Sequence, residues 1–334
     1  MSCILTLSSM LLLRWQSWGP RSSLLPAGPA SAKIAHLNWF VLILFLIVIA
    51  VMWSLILLVV TRKRGSFQEH APFDAGGGQS WILIGGFAIP ATILFVIFIM
   101  GLDTMSAFPL HDGHEMPPNI RVTGHQWWWE VQYLSGGVDK HFITANEIHI
   151  PVGRPMDIDL VSADVIHSFW VPSLHGKVDL VPGQVNRIRI EASEPGVHRG
   201  ICAEYCGAQH AHMGLLVVAD SPQAYQSWVE KQLSDGKTPT DAEEQHGEQV
   251  FVSKPCGFCH TVRGTPAGGR VGPDLTHIGS RQGLASNMLV NDDANLSAWV
   301  THAQALKSGS AMPDITEFNG DDLRAIVAYL RQLK

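Results

Sequence analysis

Two short runs in this chain set cysteine beside histidine closely enough to hold a metal or a prosthetic group. The first is Cys202-Ala-Glu204-Tyr-Cys206-Gly-Ala-Gln-His210-Ala-His-Met213, with His167 standing 35 residues upstream in Asp-Val-Ile-His-Ser-Phe-Trp. Thiolate, imidazole and thioether together suit copper, whose electron-transfer sites use His, Cys and a weak axial Met. A single cysteine would make a mononuclear site. Two thiolates able to bridge, with a histidine at each end, suit a binuclear centre in which an electron is shared. A structural Cys2His2 zinc site draws on the same four residues but leaves Met213 without a task. A disulfide between Cys202 and Cys206 is a third reading. The second run, Cys256-Gly-Phe-Cys259-His260, is the haem c attachment motif: two thiols add to the vinyl groups and the adjacent histidine is set under the iron.

A low-spin electron carrier needs a second axial ligand, and Met raises the potential relative to His. Met312, in Gly-Ser-Ala-Met-Pro-Asp just before a helix, is the best candidate, with Met288 and His277 as rivals. A closing helix carries Leu323, Ile326, Val327 and Leu330 at helical spacing, with acidic residues early and basic ones late. Trp299 and Val300 face the same core. The domain begins near Asp241, whose Asp-x-x-Glu244 fits a capping box, and covers 241–334.

Before it, Ser234 to Thr240 reads as a polar linker. Within a domain of 106–233, residues from about 117 to 219 show period-two alternation, as at Ile158 and Leu160 between aspartates and at Ile188 and Ile190 between charged neighbours. Half-buried antiparallel strands read this way, and the Gly/Pro turn signals between them predict a β-sandwich or barrel. A helix capped by Ser221-Pro222 closes it, with Tyr225, Trp228 and Val229 inward.

Two uncharged runs, Trp39 to Val60 and Trp81 to Leu102, are each long enough to cross a bilayer and make a hairpin within 36–105. Arg62-Lys63-Arg64 in the connection puts that loop in the cytoplasm by the positive-inside rule. Both termini and everything after Leu102 then face outward. Residues 1–35 read either as a signal segment cleaved near Ala30-Ser31-Ala32 or as a retained peripheral segment. The formal charge of -6, with no basic stripe, excludes nucleic acid as a partner.

The two spans followed by this Cys/His loop resemble subunit II of cytochrome c oxidase with its Cu-A centre, and with Cys256 to His260 the whole resembles caa3-type oxidases. The resemblance implies a multidomain membrane protein: a two-helix transmembrane hairpin, a cupredoxin-like β-sandwich/barrel and an all-α class I cytochrome c domain. It implies Cu-A ligands His167, Cys202, Glu204 through its backbone carbonyl, Cys206, His210 and Met213. Haem c would be held by Cys256, Cys259, His260 and Met312, and Gly272-Pro273-Asp274-Leu275 resembles the loop whose proline carbonyl accepts from the axial histidine. Trp127, in Gly-His-Gln-Trp-Trp-Trp, matches the electron-entry tryptophan, and Glu204 and Asp179 match positions near a magnesium at the border with the catalytic subunit. In many relatives an acidic residue just before the second span lies at the mouth of a proton path. Here Gly76-Gly-Gly-Gln79-Ser80-Trp81 occupies that stretch, Glu69 and Asp74 are the nearest carboxylates, and the role falls to none of them.

The implied function is an electron-transfer subunit of an aerobic terminal oxidase in a bacterial-type inner membrane. Electrons would pass from an external cytochrome c or other donor, by haem c and Cu-A, to haem a of subunit I, coupled there to oxygen reduction and proton pumping. Partners are subunit I, other oxidase subunits and lipid. The reading from another class is a free-standing membrane carrier or copper sensor, which needs only one tether, whereas a hairpin suits packing against a larger subunit. A quinol oxidase subunit has the same anchor but lacks the copper ligands.

Overall fold

The computed structural model describes residues 22–62, 78–106 and 117–334. Lys63, Arg64, Glu69 and Asp74, on which parts of the topology and proton-path reading rest, lie outside the described residues. The long helices and the globular part form separate compact units.

Helix α1 runs Pro29–Thr61 and α2 runs Gly78–Met105, each reaching beyond the uncharged run that marks it. No Asp, Glu, Lys or Arg falls between Lys33 and Arg62. The hydrophobic window of each helix is wholly uncovered by the rest of the protein. A core helix of a soluble domain would be buried, so these helices require an apolar surrounding. The hydroxyls of Ser54, Thr61, Thr92 and Thr104 each donate to the carbonyl four residues back, so none is unpaired in that setting. Pro90 cannot donate to the carbonyl of Gly86, and α2 widens into a π turn over Ile82–Ala88 just before it. At the far end of the hairpin Lys33 Nζ reaches Ser106 Oγ at 2.8 Å and Asp103 Oδ1 at 3.5 Å. Ala30-Ser31-Ala32 opens α1, with Ser31 buried and its hydroxyl donating to the Ser173 carbonyl at 2.7 Å.

The β domain comprises β1 (Ile120–His125), β2 (Trp128–Tyr133), β3 (Phe142–Ala145), β4 (Glu147–Pro151), β5 (Met156–Ser162), β6 (His167–Trp170), β7 (Val178–Leu180), β8 (Asn186–Ile190), β9 (Gly196–Cys202) and β10 (Gly214–Asp220). They form two five-stranded sheets, ordered β3-β2-β1-β5-β8 and β4-β10-β9-β6-β7. Alternation does what it predicts: Val122, Trp129, Val131, Ile158, Leu160, Ile188 and Ile190 all enter one core. Trp129 packs edge-on against Phe169 with centroids 6.0 Å apart. Two pairings, β1 with β5 and β4 with β10, are parallel rather than antiparallel. The chain leaves the first sheet after β3, adds β4 to the second, and re-enters as β5 beside β1. Asp159, on the solvent side of the pattern, is also buried, because Arg187 covers it at 2.7 Å. Helix α3 (Pro222–Leu233) starts at Ser221, whose hydroxyl accepts from Ala224 N, and packs Tyr225, Trp228 and Val229 on the core.

The C-terminal domain contains α4 (Ala242–Ser253), α5 (Cys256–Cys259), the hairpin β11 (Gly283–Leu284) and β12 (Leu289–Val290), α6 (Asp293–Thr301), α7 (Ala303–Leu306) and α8 (Gly320–Gln332). The small hairpin is an addition to the all-α expectation. Helices α4 and α8 cross so closely at Gly247 that a Cβ there would sit 2.0 Å from the Ala325 carbonyl oxygen. Phe251, Ile326, Val327, Tyr329 and Leu330 fill the core behind that crossing, with Leu323 at its edge. The linker is pinned, not loose: Gly236 N donates to Arg263 O, and the Gln332 amide donates to Lys237 O.

Candidate functional site

Strand β6 delivers His167 and β9 delivers Cys202, adjacent strands of one sheet, so the residues 35 apart in sequence become neighbours. The loop from Cys202 to Met213 then folds back over them. Cys202 Sγ lies 3.9 Å from His167 Nδ1 and 3.8 Å from Cys206 Sγ. Cys206 Sγ lies 3.6 Å from His210 Nδ1 and 3.8 Å from Met213 Sδ. The Glu204 carbonyl oxygen approaches Cys202 Sγ at 3.2 Å. Both cysteines are free thiols, which sets aside the disulfide.

His167, Cys202, Cys206 and Met213 are buried. The donor atoms of His167, Cys202 and Cys206 all lie within 4.8 Å of one another, a group that does not include His210. The donors thus form a row, imidazole–sulfur–sulfur–imidazole, with a thioether at one end and a carbonyl at the other. That is more donors than tetrahedral zinc takes, and they do not close on one point. Hydrogen bonding from Cys206 holds the Cys202 thiol far down, at about 3, with burial opposing and His167 assisting. A thiolate in this pair is therefore ready at neutral pH.

Sequence reasoning missed Asp164. Its Oδ1 accepts from His167 Nε2 at 2.7 Å, which fixes the tautomer and turns the Nδ1 lone pair toward the sulfurs. Backbone amides of Val165 and Gln126 hold the carboxylate in place. The signal was there in Asp164-Val-Ile-His167, one tight turn. Gly124 permits the arrangement, since a Cβ there would lie 2.8 Å from His167 Cδ2. Asp164→Asn keeps one acceptor but removes the charge, and copper affinity should fall roughly 10–100-fold. Competition titration against a copper chelator measures this, and unchanged affinity would remove Asp164 from the site.

In the C-terminal domain Cys256, Cys259, His260, Pro273, Trp299 and Met312 line one cavity enclosing about 1340 Å³, part of it open to solvent. His260 Nδ1 donates to the Pro273 carbonyl at 2.7 Å, leaving Nε2 free, and burial lowers the ring's pKa so that it stays neutral. A Cβ on Gly272 would meet His260 Cε1 at 2.5 Å, so glycine is needed for this approach. Neither rival ligand lines the cavity. His277 is buried elsewhere, its Nε2 3.2 Å from both Arg263 and the Ser234 carbonyl oxygen. The cavity fits a flat tetrapyrrole attached at two thiols beside a neutral imidazole.

The profile of the cytochrome c oxidase subunit II periplasmic domain matches residues 130–220, and that of cytochrome c matches residues 244–334. Cytochrome c oxidase subunit 2 of Alkalihalophilus pseudofirmus is 37% identical over 316 residues, covering 92% of this chain and 90% of the relative. This chain belongs to the cytochrome c oxidase subunit II family. Cytochrome c oxidase subunit 2 of a Bacillus species is 28% identical, covering 82% of this chain and 80% of that one. Among solved structures, the periplasmic domain of subunit II of cytochrome oxidase from Bradyrhizobium japonicum is 28% identical, with a TM-score of 0.33 over 35% of this chain and 94% of that chain.

For a subunit II carrying a fused cytochrome c domain, what lies between the two sites matters. Trp127 is buried there. Its indole donates to the Cys206 carbonyl at 3.0 Å while its side chain also lines the cavity. Asp179 and Glu204 converge on Lys177, which lies 3.2 Å from one carboxylate and 3.6 Å from the other. Hydrogen bonding, first from Ser168 and then from Lys177, lowers the Asp179 pKa. A second set that sequence reasoning missed joins the domains. Arg281, Ser286, Asn287 and Lys307 of the cytochrome c domain are all buried, and each hydrogen bonds to the β domain.

Proposed function

We propose that this chain is the electron-accepting subunit of a haem-copper oxygen reductase, serving between an external donor and the haem a of a catalytic subunit that reduces oxygen and pumps protons. The observation that carries this reading is the row of donors from His167 through Cys202 and Cys206 to His210, with a haem-attachment cavity on the other side of Trp127. A binuclear copper centre and a covalent haem c, when bound, supply reversible one-electron chemistry.

The chain's own residues do the rest. Cys202, Cys206, His167 and His210 would hold the copper, with Met213 and the Glu204 carbonyl as weak donors. Asp164 holds one imidazole, and the Pro273 carbonyl holds the other domain's His260. Cys256, Cys259, His260 and Met312 would hold the haem, all four lining the one cavity. Burial of His167, Cys202, Cys206 and Met213 keeps water from that part of the donor row, so little solvent has to reorganise there when charge moves. Trp127, touching the copper loop and the cavity, is the entry residue for electrons. Asp179 and Glu204 are offered as magnesium ligands at the subunit border, with Lys177 their cation until that subunit docks.

The hairpin lies in a bacterial inner membrane, with the 62–64 loop in the cytoplasm and both globular domains outside, packed against subunit I and lipid. A metal and haem count on the complex, purified in mild detergent, tests the reading. Copper, one covalent haem and a co-purifying many-span haem protein are expected. Zinc in place of copper would overturn the centre, and absence of the large partner would favour a free carrier.

A further inference from the structure

The cytochrome c domain does not hang from its linker. Its hairpin turn docks on the β domain through buried polar contacts. Ser286 O accepts from Gly214 N at 3.1 Å, Ser286 Oγ donates to Trp127 O at 2.7 Å, and the Asn287 amide donates to Asn146 O at 2.9 Å. Nearby, Gln282 N donates to Glu147 Oε1, and the Gln209 amide donates to Ser308 O. Ala285, Ser286 and Asn287 all adopt positive φ, 51, 62 and 60°. Three successive non-glycine residues in that region are costly, and such backbone persists only where its surroundings over-determine it.

One side chain stands at the centre of this contact. Lys307, 3% exposed, points its ammonium at Trp127 O (2.7 Å), His212 O (3.0 Å), Ser286 Oγ (3.0 Å) and Ala285 O (3.2 Å). Two of these oxygens belong to the β domain and two to the hairpin turn. One lies on the tryptophan between the sites, and another on the peptide leading into Met213. None is a carboxylate. A buried ammonium with only neutral partners is expensive, and for stability alone an apolar residue would serve as well or better. Burial accordingly lowers its pKa to about 7, while the neighbouring Cys206 sulfur opposes this and favours the charged form.

We propose that Lys307 is a positioning residue for electron transfer between the two domains, clamping Trp127 and the His210–Met213 loop against the haem cavity and placing a positive charge between the centres. This rests on the functional reading above. Losing the clamp lets the loop and tryptophan shift away from the cavity, which lengthens the path between the two centres and slows transfer. The charge favours the reduced form of a neighbouring centre, so its removal lowers the haem potential.

The test uses the whole oxidase carrying Lys307→Met or Lys307→Arg. Three quantities are read: the rate of haem-to-copper transfer after photoreduction, the haem midpoint potential, and hydrogen exchange at residues 207–214 and 283–288. In the Met variant transfer should slow measurably, the potential should fall, and both segments should exchange faster, with haem and copper content unchanged. The Arg variant should keep the potential and recover most of the rate. Unchanged transfer, potential and exchange in the Met variant would overturn the clamp. Should that variant not assemble, Ser286→Ala decides, because it removes another donor to the same Trp127 carbonyl: slower transfer with faster exchange supports the proposal, and no change overturns it. If the unmodified oxidase shows no haem-to-copper transfer at all, it is the functional reading that fails.

Discussion

Cys206→Ser is expected to abolish the binuclear copper absorption while leaving the haem spectrum intact. Cys206 Sγ is the most connected donor of the row, within 3.8 Å of Cys202 Sγ, His210 Nδ1 and Met213 Sδ. Serine offers a hard oxygen in place of a soft thiolate, and copper in electron-transfer sites selects the latter. The loss should exceed the roughly 10–100-fold in affinity that removing an outer hydrogen-bond partner costs. Oxidase turnover should fall with it. The haem should be spared, because its attachment depends on Cys256, Cys259 and His260 in a separately built core. Optical spectroscopy and elemental analysis of the same preparation check both halves. A surviving copper signal would refute the bridging role.

Met312→Ala is expected to leave the haem attached but to lower its potential and open a coordination position. The thioether is the ligand that raises potential relative to imidazole. The loop is held from behind, with the Gln304 amide donating to Met312 O at 2.6 Å and to Ser310 O at 2.7 Å, so alanine should leave the backbone in place. Binding of an exogenous ligand such as imidazole, absent in the unmodified protein, should appear together with the drop in potential. An unchanged potential would transfer the role to another side chain.

Much of this was legible because the chemistry is local. Cys256 to His260 needs one turn of chain, and Cys202 to Met213 needs one loop, so residue types at fixed spacing were enough. Period-two burial at Ile158, Leu160, Ile188 and Ile190 likewise reports on single strands. What was not legible depended on which segments meet. The parallel pairing of β1 with β5 follows from a crossover between sheets, which no window of sequence records. Asp164 was overlooked because an exposed turn aspartate and a histidine-orienting one read alike. Lys307 had no signal at all: a lysine in Ala-Leu-Lys-Ser-Gly reads as solvated surface. Only docking of the two domains turns it inward. The same holds for Glu147, whose carboxylate burial pushes up in pKa beneath the hairpin.

Amides, hydroxyls and carbonyls cross the face shared by the two globular domains at several buried points. Water can take the place of such partners when the halves part, as it cannot for an oily seam. Contacts of that kind can re-form after parting, and their strength draws on fit and on adjacency along one chain as well as on burial. A junction of that kind can be lost or gained in descent by changing a few polar side chains.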